Sequence, residues 1–531
     1  MLQIAENIEI DPKRAIARVQ RDMRDDWFPD PLHFEDILRE SHLKEKLKKK
    51  PYTPTSSELF NIPKSNFSLR YSLETNVYDR IVYQGIADAL IPHFDPCLSD
   101  HVFSHRFAGG EDKYMFKNAI TAFQAYTETV REALEGTTKV LVATDCQNFY
   151  ECLQLEDLIN LLLMLADEKG LDTEKRLIKY LQPMLKTWSP YQTHGLPQNR
   201  DASSFLANMY MLPVDNAMLR QGYQYFRYMD DIRIVCADVY EARRALRDLI
   251  IALRRHRLNV NSKKTEIVTQ YDDRMAELLP KNRLLQEIDT LYKSKRIREV
   301  RKAVTKLQEL ASSLVKSGMV DSREFRFTVH RLVNIGRSKS FEMADPEFTD
   351  CVIGQLLDKP WCSDIMIKYL EVANLSGAQE SCIADLVLDK TKYAYEWQCY
   401  LIWQLLARRG IQTETLLKAA WSNMRVCDHA PVKASSLVYL AACGDSNDKY
   451  NLVKQNDPWV TPTVRRAFVI AVRETNKREL QKCRVSQETP DIQEEFETIR
   501  GYSPLSGRYI QPIPEVSIAD LFNDLPLNYE F

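Results

Sequence analysis

Features that place a protein in a membrane or among secreted, disulfide-bonded domains are missing from this chain of 531 residues. No apolar run approaches the roughly 18–20 residues that cross a bilayer. Residues 1–6 lack the charged start and long apolar stretch of a secretory signal. The eleven cysteines are scattered and include no Cys-x-x-Cys pair, which argues against a disulfide framework. We therefore expect a cytoplasmic protein with no membrane partner and, given its length, two or three domains.

An excess of either charge is missing as well, because 72 basic and 74 acidic residues give a net charge of −2. Any surface for nucleic acid must therefore be local. Two basic clusters, residues 44–50 and 293–306, are each either a phosphate-binding surface or a solvated helix face. A zinc-like spacing of Cys97, His101 and His105 would share one helix face, but it lacks a fourth ligand.

What the chain does contain is a set of carboxylates in β-type surroundings. The sequence Tyr-Met-Asp-Asp at residues 228–231 lies between two β-rich runs and predicts a hairpin with Asp230 and Asp231 at its tip. Two aspartates also occur at turns for turn chemistry alone. A third carboxylate, Asp145, follows the buried-strand pattern of residues 139–144.

Three carboxylates on neighbouring strand ends repel one another unless a cation neutralises them. Oxygen ligands without histidine or cysteine favour Mg²⁺, or Mn²⁺ in its place. Two such ions can activate a 3′ hydroxyl and stabilise a leaving pyrophosphate. The pattern therefore predicts nucleotidyl transfer.

Four motifs, in order and at plausible spacing, resemble those of reverse transcriptases. They are Tyr-Met-Asp-Asp, Asp145 followed by Phe149 and Tyr150, Gly195-Leu196-Pro197-Gln198, and Asn261-Ser262-Lys263-Lys264-Thr265. The resemblance covers roughly residues 65–270. It implies an α+β fold with right-hand fingers and palm, and an RNA-directed DNA polymerase that uses dNTPs and two Mg²⁺ ions to make a DNA product.

The same resemblance implies roles for individual residues. The catalytic metal ligands are Asp145, Asp230, Asp231 and the backbone carbonyl of Cys146. The residues expected to bind the dNTP are Tyr150, Gln198 and Lys264, with a fingers arginine on the triphosphate, for which the candidates are Arg70, Arg80 and Arg106. The residues expected at the primer and template are Gly195, Pro197, Tyr228 and Met229. The sequence does not choose among the arginines, and for any single one of them a structural or surface role is the more common one.

Two positions refine the expected chemistry. An aromatic ring at Tyr150 would clash with a 2′ hydroxyl, so the resemblance implies a preference for deoxynucleotides. The family usually has glycine after Pro-Gln, whereas this chain has Asn199, followed by Arg200 and Asp201. Asparagine tolerates left-handed backbone but adds bulk where the template passes, so we expect unusual templating.

Composition and periodicity divide the chain into five segments. We expect an N-terminal extension of charged helices at 1–60, fingers at 61–135, palm at 136–280, an all-α region at 281–500 with a charged linking stretch from 481, and a tail at 501–531. Pro431 and Pro462 each begin an apolar helical run, at an offset of 31 residues. This echo predicts stacked helical hairpins of HEAT type.

A palm joined to a long helical half, without a maturase layout or a ribonuclease H signature, resembles the bacterial abortive-infection and defence-associated reverse transcriptases. That resemblance implies DNA synthesis in phage defence and a homo-oligomer. In some such enzymes, synthesis is untemplated and starts from a protein tyrosine. The priming residue stays open, with Tyr502, Tyr509 and Tyr529 as candidates in an accessible tail. Two alternatives are a retron-like enzyme that copies an associated noncoding RNA and a non-catalytic scaffold that binds nucleic acid.

Overall fold

The computed structural model describes most of the chain. The described residues are 1–47, 52–110, 114–136, 139–269, 271–279, 283–294, 296–338, 346–389, 391, 395–454, 461–476, 478 and 490–516. Residues 48–50 of the first basic cluster, Lys295 of the second, residues 481–489 of the charged stretch and the candidate Tyr529 lie outside these ranges. The described part has an α+β first half and a helical second half, which confirms the predicted fold class.

The N-terminal extension begins with a hairpin that the sequence analysis missed. Strands β1 (Leu2–Ala5) and β2 (Ile8–Ile10) are antiparallel, and Asn7 makes the turn with a φ of 57°. Alternate apolar side chains are buried in both strands, as expected of a strand on a core. Helices α1 (Pro12–Asp22) and α2 (Glu40–Lys46) follow.

The fingers contain a second antiparallel hairpin, β3 (Glu58–Pro63) and β4 (Leu69–Glu74). Phe67 lies in the turn between these strands, with a φ of 57°. Helices α3 (Val77–Phe94) and α4 (Ala119–Leu134) follow.

The palm is a four-stranded antiparallel sheet with the order β6-β7-β5-β8. Its strands are β5 (Val140–Thr144), β6 (Gln224–Tyr228), β7 (Asp231–Cys236) and β8 (Glu266–Thr269). The helices of this region are α5 (Phe149–Cys152), α6 (Leu155–Glu168), α7 (Asp172–Trp188), α8 (Asp201–Arg220), α9 (Val239–Arg255) and α10 (Met275–Leu278).

Alternate side chains of this sheet enter two separate cores. The paired residues Val142 and Ile234 belong to the core that contains α8 and α9. The next pair, Leu141 and Val235, belongs to the core that contains α4. Because both faces are covered, only the strand ends are left to present polar groups.

The second half is entirely helical in the described residues. Its helices are α11 (Arg283–Lys293), α12 (Ile297–Lys316), α13 (Arg323–Arg337), α14 (Pro346–Asp358), α15 (Ser363–Val372), α16 (Gly377–Leu388), α17 (Glu396–Arg409), α18 (Glu414–Val426), α19 (Ala430–Cys443), α20 (Ser446–Val453), α21 (Pro462–Val472) and α22 (Pro490–Gly501). The last one corrects the expectation of a link, since residues 490–501 form a helix that packs on α21.

These helices form two layers. Helices α13, α15, α17, α19 and α21 pack on one another in succession, while α14, α16 and α18 form a second row beside them. Each second-row helix also contacts the first-row helix that follows it. This is a stack of helical hairpins, and its assignment to the HEAT type stays a prediction. None of the described helices has the length and apolar character to cross a bilayer.

An N-terminal segment, residues 23–38, joins the two halves. The Arg466 guanidinium on α21 donates hydrogen bonds to Asp30 and Asp36, at distances of 2.6 to 3.3 Å, and all three side chains are buried. The Trp397 indole donates to the carbonyl of Trp27 at 2.8 Å. The segment is therefore part of the core of the helical half.

We predict that Arg466→Gln destabilises the protein by about 3 kcal/mol or more, because it leaves two buried carboxylates without their partner. Thermal and urea unfolding of the full chain measure the loss. The control is Arg508→Gln, which changes an exposed arginine. Equal stability of the two variants would contradict the assignment.

Candidate active site

The Tyr-Met-Asp-Asp sequence forms the tip of the β6–β7 hairpin, as predicted. Tyr228 pairs with Asp231, so Met229 and Asp230 make a two-residue turn, and Met229 has a φ of 57°. The Ser104 hydroxyl accepts a hydrogen bond from the Met229 amide at 2.6 Å. The turn is therefore fixed from outside the hairpin.

A buried ion pair supports the same turn. Arg227 is fully buried and donates two hydrogen bonds of 2.7 Å to the carboxylate of Asp215 on α8. A third hydrogen bond, of 2.8 Å, runs from Arg227 to the carbonyl of Met229. Sequence reasoning missed Arg227. Its position between Phe226, which is buried, and the active-site turn is the signal that could have indicated a buried ion pair.

The sheet brings the third carboxylate beside the hairpin tip. Strand β5 pairs with β7, with Thr144 opposite Ile232, so Asp145 follows directly beside the turn. Its Oδ2 accepts a hydrogen bond from the Lys264 ammonium at 2.7 Å. Its Oδ1 is buried and has no hydrogen-bond partner within the described ranges.

The pKa shifts at the site reflect the closeness of the negative charges. Burial, followed by the charges of Asp231 and Asp145, raises the pKa of Asp230 to about 7. The pKa of Lys264 is raised because its hydrogen bond to Asp145 and the carboxylate charges outweigh the opposing effect of burial. Arg233 lies 3.2 Å from Asp231 and offsets part of the charge.

The donor set fits a divalent metal of the hard type. A buried, unpartnered oxygen on Asp145 and a raised pKa at Asp230 both indicate excess negative charge. In the part of the chain that is described, no three His, Cys, Asp or Glu side chains are already arranged around one ion position. The Lys264 ammonium supplies a single positive charge next to the Asp145 carboxylate. Asp145, Asp230 and Asp231 would hold Mg²⁺.

Cys146 was expected to contribute its backbone carbonyl. It lies opposite Val260 in an isolated β-bridge. The two backbone hydrogen bonds of that bridge are made by the residues before and after Cys146, and not by Cys146 itself. Burial raises the pKa of its thiol well above the ordinary value. The thiol therefore stays protonated, and only the backbone group is a plausible ligand.

The carboxylates open into a cleft of about 2210 Å³ between palm, fingers, N-terminal segment and helical half. Seven of the predicted residues line it together with the carboxylates: Arg70, Cys146, Tyr150, Gln198, Tyr228, Met229 and Lys264. The Tyr150 hydroxyl lies 3.1 Å from that of Ser204, and the Gln198 amide donates to Glu151 at 3.5 Å. Both side chains are thus held in place at the cleft wall.

Gly195 and Pro197 do not line the cleft but lie buried behind its wall. Gly195 has a φ of 97°, and a Cβ there would overlap the Tyr71 hydroxyl. Glycine is therefore required at this position. These two residues shape the loop that carries Gln198, and direct contact with primer or template is not supported for them.

The structure separates the three candidate arginines. Arg80 is buried and bonds Asp22 and Asp26, both at 2.7 Å, so it has a structural role in place of the predicted nucleotide contact. Arg106 is likewise occupied, at 3.1 Å from Asp95 and by backbone carbonyls. Arg70 lines the cleft.

Two cations of the cleft were missed by sequence reasoning. Lys64 lies at the end of β3, and burial, then the charge of Arg70, lowers its pKa. Arg323, at the start of α13, lies 4.4 Å from the centre of the Phe123 ring. Burial lowers the pKa of Arg323, an effect that Asp231 opposes. The helical half therefore adds a side chain to the site, which no palm motif could reveal.

The zinc-like spacing does not form a site. Cys97 ends a 3-10 turn, the His101 ring lies 2.8 Å from the carbonyl of Tyr225, and the His105 ring contacts Phe116. The three side chains share no helix face, because the chain from Leu98 to His105 is irregular.

The first basic cluster is neutralised where it is described. Lys44 pairs with Glu40, and Lys46 pairs with Glu494, at 2.5 and 2.6 Å. A phosphate contact is therefore not supported for these two lysines.

We predict that Asp230→Asn stabilises the metal-free protein at about pH 8 by about 1–3 kcal/mol. The folded pKa of Asp230 lies above the unfolded value, so ionisation destabilises the fold; this cost is absent below about pH 4 and complete above about pH 7. Unfolding with a chelator across this range measures it, with the exposed Asp100→Asn as control. A gain independent of pH would contradict the electrostatic account.

Comparison with known proteins identifies the domain. Residues 62–328 match the family model described as reverse transcriptase (RNA-dependent DNA polymerase), which is half of the chain. No curated protein matches the chain.

Telomerases are among the solved structures that resemble it. Apo telomerase from Candida tropicalis, truncated from the C-terminal domain, is 14% identical with a TM-score of 0.32, over 41% of this chain and 51% of that one. Telomerase from Candida albicans in complex with a fragment of telomeric RNA is 10% identical with a TM-score of 0.32, over 69% and 64%. The chain thus spans between half and two thirds of these telomerases. From the match over half its length, this chain belongs to the reverse transcriptase family, and the matched domain is an RNA-directed DNA polymerase domain, a nucleotidyltransferase.

Proposed function

We propose that the protein is a DNA polymerase of phage defence, which adds deoxynucleotides to a 3′ or protein hydroxyl. The observation that carries the proposal is the junction of Asp145, Asp230 and Asp231 at the sheet end, open to a cleft that Lys64 and Arg70 also line. The cleft thus contains both carboxylates for metals and cations for a triphosphate. Nucleotidyl transfer needs both.

Each part of a bound dNTP has a partner in this arrangement. Arg70 and Lys64 bind the triphosphate, and the Tyr150 ring packs under the sugar, held by its hydroxyl contact with Ser204. Lys264, whose raised pKa keeps it protonated, donates a proton to the leaving pyrophosphate. Two Mg²⁺ ions on the carboxylates would lower the pKa of the attacking hydroxyl and stabilise the charge on the leaving group.

Untemplated synthesis is the mode that the loop after Gln198 supports. Asn199 has the left-handed backbone expected of it, with a φ of 56°, and its amide donates to the carbonyl of Asp25 at 2.6 Å. Arg200 bonds Asp26 at 3.0 Å. The N-terminal segment therefore covers this loop at the wall of the cleft, where a template strand is expected to pass.

The priming hydroxyl stays open. Tyr502 and Tyr509 do not lie in an accessible tail, because both are half-buried against the helical core. The Arg39 guanidinium lies 4.4 Å from the Tyr502 ring centre, and burial raises the pKa of Tyr509. Tyr529 lies outside the described residues.

The placement in defence is supported by the architecture. A palm is followed by a long two-layer stack of helices, and such stacks offer extended surfaces for a second copy or another partner. We include a homo-oligomer and cytoplasmic action in the proposal. A retron-like enzyme that copies an associated noncoding RNA is the alternative, since the cleft volume of about 2210 Å³ is large.

The test is incubation of the purified chain with Mg²⁺ and labelled dNTPs, without added template or primer. Parallel samples are pretreated with ribonuclease, or digested with proteinase afterwards. We expect DNA that survives ribonuclease pretreatment and changes mobility after proteinase digestion. Synthesis that is lost after ribonuclease would instead identify a bound RNA template and favour the retron-like alternative.

The matched control for this experiment is the double variant Asp230→Ala and Asp231→Ala. It should abolish synthesis while the far-UV circular dichroism spectrum is retained. Retained polymerisation would contradict the assignment of the site. Loss of synthesis with full protection against phage would show that the protein acts as a scaffold.

We further predict that Tyr150→Ala lowers the preference for dNTPs over rNTPs by about tenfold or more, because it removes the ring that excludes a 2′ hydroxyl. Competing incorporation of the two nucleotide types measures the ratio. Tyr271→Ala, a change at a 77% exposed tyrosine outside the cleft, serves as control. An unchanged ratio in an active Tyr150→Ala variant would contradict the role.

A further inference from the structure

Helix α9 carries an arginine-rich face on the outside of the palm. The exposed arginines of this helix are Arg243, Arg244, Arg247, Arg254 and Arg255. At about 100° per residue they fall within one sector of about 120°. The opposite face of the helix, which includes Leu249 and Leu253, is buried in the palm core.

Acidic side chains do not cancel this charge. Glu241 accepts a hydrogen bond from the Ala237 amide at 2.6 Å and caps the start of the helix. Asp248 accepts one from the Tyr223 hydroxyl at 2.7 Å, and it also contacts Arg247. Five arginines against these two carboxylates leave the face with a net positive charge.

Helix α12 and its neighbour α11, which hold the second basic cluster, provide the contrast. Lys293 lies 2.6 Å from Asp289. Lys302 lies 3.2 Å from Glu299, and Lys306 lies 2.5 Å from Glu287. Those lysines form ion pairs on a solvated face, and residues 293–306 contain no aromatic side chain on which a base could stack.

Exposed apolar groups accompany the arginines. Tyr240 is 67% exposed, and the Arg243 guanidinium lies 6.0 Å from its ring centre. Ile251 is 44% exposed within the same sector. Arginine beside an accessible aromatic ring suits a nucleic acid, because phosphates bind the guanidinium groups and bases stack on the ring.

We infer that this arginine face is a second surface for nucleic acid, which binds the phosphodiester backbone of RNA or DNA outside the catalytic cleft. The face extends about 18 Å along the helix axis, the length of about five nucleotides of a duplex strand. No residue of α9 lines the cleft within the described ranges. The surface therefore acts separately from the chemistry and does not depend on the proposed function.

The test is binding of labelled single-stranded RNA and DNA of about 20 nucleotides to the full chain, without dNTPs, over a range of salt concentrations. The variant is Arg243→Gln, Arg247→Gln and Arg254→Gln together. Its control makes the same change in net charge on exposed residues of α12 and combines Arg298→Gln, Arg301→Gln and Lys302→Gln. Both chains are checked for unchanged thermal unfolding.

We expect the α9 variant to bind about tenfold more weakly at about 0.1 M salt, and its slope of log affinity against log salt to be smaller by about 2. The control should bind within twofold of the unchanged chain. Weakening of RNA alone or of DNA alone would identify the natural ligand, and weakening of both would show a general backbone surface. The polymerase variant Asp230→Ala should keep this binding, which separates the two proposals.

Equal binding by the α9 variant and its control would overturn the inference. A photo-crosslinking arm with thiouridine-labelled RNA and its deoxy counterpart adds a direct readout, with crosslinked peptides expected from residues 239–257. If polyglutamate displaces the nucleic acid at equal charge and no crosslink maps to α9, the face binds acidic proteins, and the inference is wrong.

Discussion

Repulsion among three carboxylates is the constraint on which the active site depends. The palm sheet brings Asp145, Asp230 and Asp231 to adjacent strand ends, where burial raises the pKa of Asp230 to about 7. Lys264, with a hydrogen bond of 2.7 Å to Asp145, and Arg233, at 3.2 Å from Asp231, offset only part of this charge. Such a cluster destabilises the fold unless cations enter it, and sites of this kind trade stability for function.

The surrounding structure opposes that repulsion. The buried pair of Arg227 and Asp215 holds the carbonyl of Met229 and fixes the hairpin turn. The N-terminal segment contacts both the loop after Gln198 and the helical half. Its contact with the helical half includes the ion pair of Arg466 on α21. Palm, fingers and helices therefore meet around one cleft, and changes far from the carboxylates are expected to act on it.

Local patterns were sufficient for the elements that follow simple periodicity. The hairpin around residues 228–231, the strand before Asp145 and the helices at Pro431 and Pro462 agree with the structure because alternation and helical spacing are local properties. The roles of Arg80 and Arg323 were beyond such reasoning. Arg80 is buried and forms ion pairs with acidic residues more than fifty positions away in the sequence. Arg323 extends into the site from the helical half. Those contacts are set by tertiary packing.

The measurement that tests the central claim most directly is Mn²⁺ binding followed by electron paramagnetic resonance, with and without a dNTP. The account predicts that Mn²⁺ binds at the carboxylates, that a dNTP promotes binding of a second ion, and that Asp145→Asn abolishes both while the fold is kept. Binding of Mn²⁺ with the same affinity and number of ions in Asp145→Asn would contradict the account.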